Sequence, residues 1–187
     1  IAAQNGHEAV VRALIEAGVD VNKTKDNGVT SLFVAAHNGH ETVVRALIQA
    51  GADVNKAFDV GATPLFIAAL DGHEAVVRAL IELGADINKE DDNAATPLFI
   101  AAQQGKETVV RVLIEAGADI NKARDDGATA LFIASQRGHE AVVRALIEAG
   151  AEVNDAKDNG VTPLLMDAQD GHEPVVRALI EATADVN

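Results

Sequence analysis

Thr63-Pro64-Leu65-Phe66-Ile67-Ala68-Ala69 decides the reading of this chain, because the chain writes it repeatedly at a fixed interval. It returns intact at Thr96 to Ala102, and in edited form at Thr30 to Ala36, Thr129 to Ser135 and Thr162 to Ala168. Each copy lies 33 residues from the last, as Thr63 does from Thr96. A repeat of this length cannot bury its apolar face alone and does so against its neighbours, which predicts a solenoid.

The surrounding residues keep the same register. Residues 1–25 form a partial repeat, 26–58, 59–91, 92–124 and 125–157 are full repeats, and 158–187 is a terminal one. No linker or composition shift interrupts them, so a single elongated domain over 1–187 is expected. Ile1 falls partway through a repeat, which leads us to expect that further residues precede it.

Local chemistry predicts the elements within each repeat. Thr63 is a good helix N-cap, and Pro64 suits the first helical position, where no backbone donor is needed. This first helix should run through Ala69 and end near Gly72, which can take the left-handed conformation. A second helix should start near Glu74 with Val76, Val77, Leu80 and Ile81 on one face. Gly84 stops it, and Ala85 to Lys89 lead to a turn near Ala94. The product is helix, turn, helix and a hairpin-like loop.

These features together resemble the ankyrin-repeat family over the whole chain. The residues carrying the resemblance are the Thr-Pro-Leu motif, the Gly72-His73-Glu74 opening of the second helix and the Gly84-Ala85-Asp86-Ile87-Asn88 closing. The implied fold class is an all-α repeat solenoid, an ankyrin-like stack of helix-turn-helix and hairpin-loop units with a 33-residue period. The implied function is binding of a protein partner through the concave face and hairpin tips. The resemblance also implies hairpin asparagine hydroxylation at positions matching Asn22, Asn55, Asn88, Asn121 and Asn154.

Departures from the family pattern carry information. Its usual histidine after Thr-Pro-Leu is replaced by Phe33, Phe66, Phe99 and Phe132, and by Leu165 in the terminal repeat. One such residue per layer predicts an apolar ladder in the core. Ala94 stands for a turn glycine, Lys106 for a histidine, Ser135 for an alanine and Thr183 for a glycine. Asp167 replaces a small apolar residue. It would be costly against another layer, so it is expected to face solvent at the end of a capping repeat.

Composition narrows the function classes. The net charge of −14 disfavours nucleic-acid and anionic-membrane binding. No apolar run approaches a membrane span. With no cysteine there is neither disulfide nor thiolate chemistry, which fits an intracellular, cytoplasmic setting. Asn22-Lys23-Thr24 matches a glycosylation acceptor, a weak motif in that setting.

No catalytic or metal-ligating set emerges, and no cofactor is expected. His7, His40, His73, His139 and His172 occupy one ladder, one per layer. Layers sit roughly 8–10 Å apart, whereas a metal needs ligands at about 2.0–2.3 Å. Each ladder histidine is instead expected to help start the second helix by bonding nearby backbone. The turn acids Asp26, Asp59, Asp92, Asp125 and Asp158 are spaced too widely for paired-carboxylate catalysis. Glu74, Arg78 and Glu82, spaced i, i+4, i+8, read as a solvated helical face.

Partner-binding candidates are the positions where the repeats differ. At the tips these are Phe58, Val60, Asp92, Asn93, Asp125 and Asp126. At the ends of the first helices they are His37, Asn38, Leu70, Asp71, Gln103, Gln104, Gln136 and Arg137. Phe58, off the phenylalanine ladder, is expected to meet Val60 and Leu70 in an apolar hot spot. The expected protein is a monomer with a protein partner and no enzymatic activity. The alternative is a spacer segment of a longer array, or an engineered regular scaffold without a natural partner.

Overall fold

In the computed structural model, which describes residues 1–25 and 28–185, the repeat register becomes a stack of helical hairpins. Asp26 therefore lies outside the described residues. The first repeat contributes α1 (Glu8–Glu16). The next four each contribute a short and a longer helix: α2 (Ser31–His37) and α3 (Glu41–Gln49), α4 (Pro64–Asp71) and α5 (Glu74–Glu82), α6 (Pro97–Gln103) and α7 (Glu107–Glu115), α8 (Ala130–Gln136) and α9 (Glu140–Glu148). The last repeat has α10 (Pro163–Asp170) and α11 (Glu173–Glu181). No strand occurs among the described residues.

Each first helix begins as the threonine dictates. Thr30, Thr63, Thr96, Thr129 and Thr162 accept a bond at Oγ1 from the amide three residues on, at 3.0–3.3 Å. This satisfies one of the orphan donors at a helix start. Pro64, Pro97 and Pro163 take the first helical position. Helix α4 ends at Gly72, whose φ of 86° is the left-handed cap.

First helices stack on first helices and second helices on second helices. The core is built from small and branched aliphatics: Leu32, Leu65, Leu98 and Leu131 are fully buried, as are Val43, Val76 and Val109 on the second helices. The phenylalanine ladder joins this core only in its middle. Phe66, Phe99 and Phe132 are buried, whereas Phe33 is half-buried and Leu165, at the far end, is 58% exposed.

The helical charges are shared differently from the i, i+4, i+8 expectation. Arg78 bonds Glu74 one turn back at 3.0 Å, but its other contact is Glu115 of the next repeat at 3.6 Å, not Glu82. Glu82 is bridged by Arg45 of the preceding repeat at 2.8 Å. Arg111 and Arg144 reach Glu148 and Glu181 in the same way, each at 3.2 Å. The second glutamate of α5, α7, α9 and α11 thus ties neighbouring layers rather than its own helix.

The histidine ladder also works between layers. Its members bond no backbone at their own helix start: His40, His73 and His139 are N-caps without a side-chain cap bond. Nε2 of each donates to a carbonyl of the preceding repeat, on Gln4, His37 and Gln103 respectively, at 2.9–3.1 Å. Where Lys106 replaces histidine, its aliphatic stem fills the same place over Gly72. Asparagines add a parallel tie: Oδ1 of Asn22, Asn55, Asn88, Asn121 and Asn154 accepts the amide of Asp53, Asp86, Asp119, Glu152 and Asp185, at 2.8–3.0 Å.

Asp167 overturns the sequence expectation. It is 0% exposed, on α10, rather than facing solvent. The exposed member of that helix pair is its neighbour Ala168. Adjacent residues on a helix point about 100° apart, and the motif alone does not say which of the two faces outward.

Candidate functional site

The candidate residues fall in two rows set by the repeat geometry. The tips are five-residue turns closed by paired backbone bonds. In the tip of Phe58, its amide donates to Ala62 O at 2.9 Å and Gly61 N donates to Phe58 O at 2.8 Å. The same closure joins Lys25 with Val29, Asp91 with Ala95, Arg124 with Ala128 and Lys157 with Val161. The second row is the last turn of each first helix.

In three repeats the first tip residue leans over the phenylalanine 25 positions earlier, and its chemistry changes along the stack. Phe58 packs on Phe33 with ring centroids 5.2 Å apart and planes tilted by 35°. Arg124 lies 5.2 Å from the Phe99 centroid and Lys157 lies 5.4 Å from that of Phe132, both within cation–π range. Asp91 occupies the corresponding place after Phe66 and instead binds its own turn, accepting from the amides of Asn93 and Ala95. The tip row therefore passes from aromatic to acidic to basic.

Phe58 is half-buried, and Val60 two residues on is 51% exposed. Val60 O accepts the amide of Asp92 at 3.1 Å, which places an acid of the next repeat beside this apolar tip. Asn93 is held by Asp91 through its amide and its Nδ2. Asp125 is exposed. Asp126 receives Lys157 Nζ at 2.6 Å, and that bond holds its carboxyl below the ordinary value.

On the second row, His37 Nδ1 lies 2.8 Å from Asp71 Oδ2, an ion pair between successive first helices when the imidazole is protonated. Asn38 turns back to Val34 O through Nδ2. Leu70 is half-buried in the last turn of α4, whereas Phe58 precedes that helix and contacts Phe33. The structure thus brings Phe58 and Val60 together on one tip and places Leu70 at the opposite end of α4, beside Asp71. Gln103 lends its carbonyl to His139, and Gln136 Nε2 lies 3.9 Å from Met166 Sδ. Gln104 and Arg137 are exposed.

Phe33 is a site residue that sequence reasoning missed, having been assigned wholly to the core. The 25-residue offset between a ladder phenylalanine and a variable tip residue is regular in the sequence, but that the second covers the first needs the geometry of the turn.

A recess of about 120 Å³ opens at the first end of the stack, lined by residues including Val11, Leu14, Ile15 and Val19. Val10 and Leu14 are 50% and 45% exposed there, while their counterparts Val43 and Leu47 are buried by the preceding layer. This is the shape of an uncovered stacking face. Among the described residues, no group of three or more His, Asp or Glu could hold a metal ion, and no helix is long and apolar enough to cross a membrane.

Helical hairpins stacked at a 33-residue step, with threonine-capped first helices and turn tips in register, define an ankyrin-type solenoid. The family model for ankyrin repeats (3 copies) matches residues 1–58, 56–124 and 98–187, and the chain belongs to that family. Among solved structures it is similar to the crystal structure of the human ASB11 ankyrin repeat domain. The two are 31% identical with a TM-score of 0.91, over 100% of this chain and 83% of that one. No curated protein sequence matches it. Ankyrin repeats are in general non-enzymatic protein-interaction modules.

Proposed function

We propose that this chain acts as one elongated, monomeric, non-enzymatic scaffold that binds a protein partner through its concave face and hairpin tips. Phe58, set on Phe33 beside the exposed Val60, carries this reading. Large apolar side chains that stay partly open on a turn tip are the kind that dominate interface energetics once a partner excludes water. Asp59 and Asp92, both exposed, flank that tip. The partner that fits is therefore a protein segment with an apolar anchor bordered by basic side chains.

The scaffold contributes pre-organisation. Its tips and helix ends are held by turn closure and interlayer bonds before any partner arrives, so little ordering cost remains for binding. His37, Asn38, Leu70 and Asp71 provide a second contact row beside the tip, and Gln103, Gln104, Gln136 and Arg137 extend it along the stack.

The test is a binding screen with the whole chain, followed by Phe58→Ala and Leu70→Ala on any partner recovered. Phe58→Ala is expected to weaken binding at least tenfold while leaving the far-ultraviolet circular dichroism unchanged; the Leu70→Ala loss should be smaller. An affinity unmoved by either change rejects the hot spot.

A structural spacer without its own partner is the second reading. It is favoured by the identical sequence Glu-Ala-Val-Val-Arg-Ala-Leu-Ile-Glu in α1, α5 and α9. A screen that recovers no partner under conditions where the tips are intact supports it.

A further inference from the structure

The last interface of the stack, between α8 and α10, contains two polar substitutions that no other interface has. Ser135 stands where Ala36, Ala69 and Ala102 stand in earlier layers, and Asp167 stands where Ala35, Ala68, Ala101 and Ala134 stand. All of these residues are fully buried.

Burial at the two ends of the stack reveals which way each position points. Ala168, the last member of the Ser135 series, is exposed, so that series faces the following layer. Ala2, the first member of the Asp167 series, is only half-buried, so that series faces the preceding layer. Ser135 therefore points toward α10 and Asp167 points back toward α8. The two exceptions look at one another across a single seam.

Their unsatisfied atoms match. Ser135 Oγ and Asp167 Oδ2 are both buried without a hydrogen-bond partner, and buried polar atoms in that state are rare and costly. Asp167 Oδ1 does have a partner, His172 Nδ1 at 2.8 Å. For this His172 leaves the ladder arrangement: it presents its Cδ2 edge to Gly138, where His40, His73 and His139 present Nδ1 to Gly6, Gly39 and Gly105. His172 thus bonds within its own repeat where the other three bond the layer before.

We propose that Ser135, Asp167 and His172 form one polar relay across this seam, closed by one water between the serine hydroxyl and the carboxylate, and that it makes docking of the terminal repeat proton-dependent. The order of groups is serine, carboxylate, imidazole. The hydroxyl thus faces the carboxylate and not the imidazole, and the relay is read as structural rather than catalytic.

Burial raises the Asp167 carboxyl above its ordinary value, with His172 opposing and Asp170 on the same helix adding to the rise. On α8 the neighbours Ala134 and Gln136 do not titrate. On α11 Glu173 is paired with Arg177, and on α9 Glu140 is paired with Arg144, which also holds Glu181. His139 is committed to Gln103 O. A carboxyl whose folded pKa is raised lends stability below its unfolded value, roughly 3.9. That contribution is lost as pH rises through the folded value. The terminal repeat should therefore hold more tightly on the acid side than at neutral pH, a gradient its alanine-bearing equivalent would lack.

The experiment is a double-mutant cycle in the whole chain, with Ser135→Ala, Asp167→Ala and both together, read by hydrogen exchange of the α11 amides. The relay predicts single effects that fail to combine, with a discrepancy of at least threefold in the opening constant. It also predicts that Asp167→Ala slows opening at pH 7 and that this gain shrinks toward pH 4. Nitrogen-15 spectra at pH 8 should show His172 protonated on Nδ1 and His40, His73 and His139 on Nε2. Additive effects, a pH-independent gain, or one tautomer for all four histidines would overturn the proposal.

Discussion

The third repeat and the last one are built on the same motif, yet the same positions do different things in them. In the third, Leu65 and Phe66 are buried between layers, and His73 ties the repeat to His37 of its neighbour. In the last, Leu164 is half-buried, Leu165 is 58% exposed, and His172 is turned inward to Asp167. A residue's role here is set by whether a further layer lies against it. Stability in a solenoid is a sum of repeat and interface contributions, so an interior repeat counts two interfaces and an end repeat one.

The largest expected effect contrasts two leucines of the motif, one at its third position in an interior layer and one at its fourth in the last. Leu98→Ala leaves a cavity in a fully packed layer and should cost about 2–5 kcal/mol. Leu165→Ala, on the open end, should stay within about 0.5 kcal/mol. Urea unfolding of the two variants against the parent checks this, and similar costs would break the contrast.

A smaller effect is expected at the tip of the fourth repeat. Ala94 holds a left-handed φ of 58° where Gly28, Gly61, Gly127 and Gly160 stand in the other tips. A side chain in that region costs about 1–2 kcal/mol. The neighbouring seam also differs. Asp92 N reaches Val60 O and Asp158 N reaches Asp126 O, but among the described residues Asp125 N makes no such bond to the tip of Ala94. Ala94→Gly should stabilise the protein by about 1 kcal/mol, measured as a rise in the urea midpoint. Destabilisation would show that the strain at Ala94 is compensated by its side chain.

The fold was legible because a 33-residue step, threonine caps and glycine stops are local signals repeated in register. Features that depend on two layers at once were less so. His73 looks like a helix-start residue because its true acceptor, His37 O, lies 36 positions away. Arg78 has Glu74 and Glu82 at equal spacing in its own helix, and only the stack shows that it uses Glu74 and then Glu115. Asp167 was misplaced because helical periodicity does not distinguish the two adjacent alanine positions, one facing each neighbour. At the candidate site, the variable tip positions could be read from the repeats. The covering of Phe33 by Phe58 could not, since it needs the geometry of the turn.

Hydrogen exchange resolved by repeat tests the layered account most directly. The buried amides of α4 to α7, each flanked by two layers, should open most rarely, and those of α1 and of α10 and α11 most often. Central helices that exchange as fast as the ends, or faster, would contradict the account.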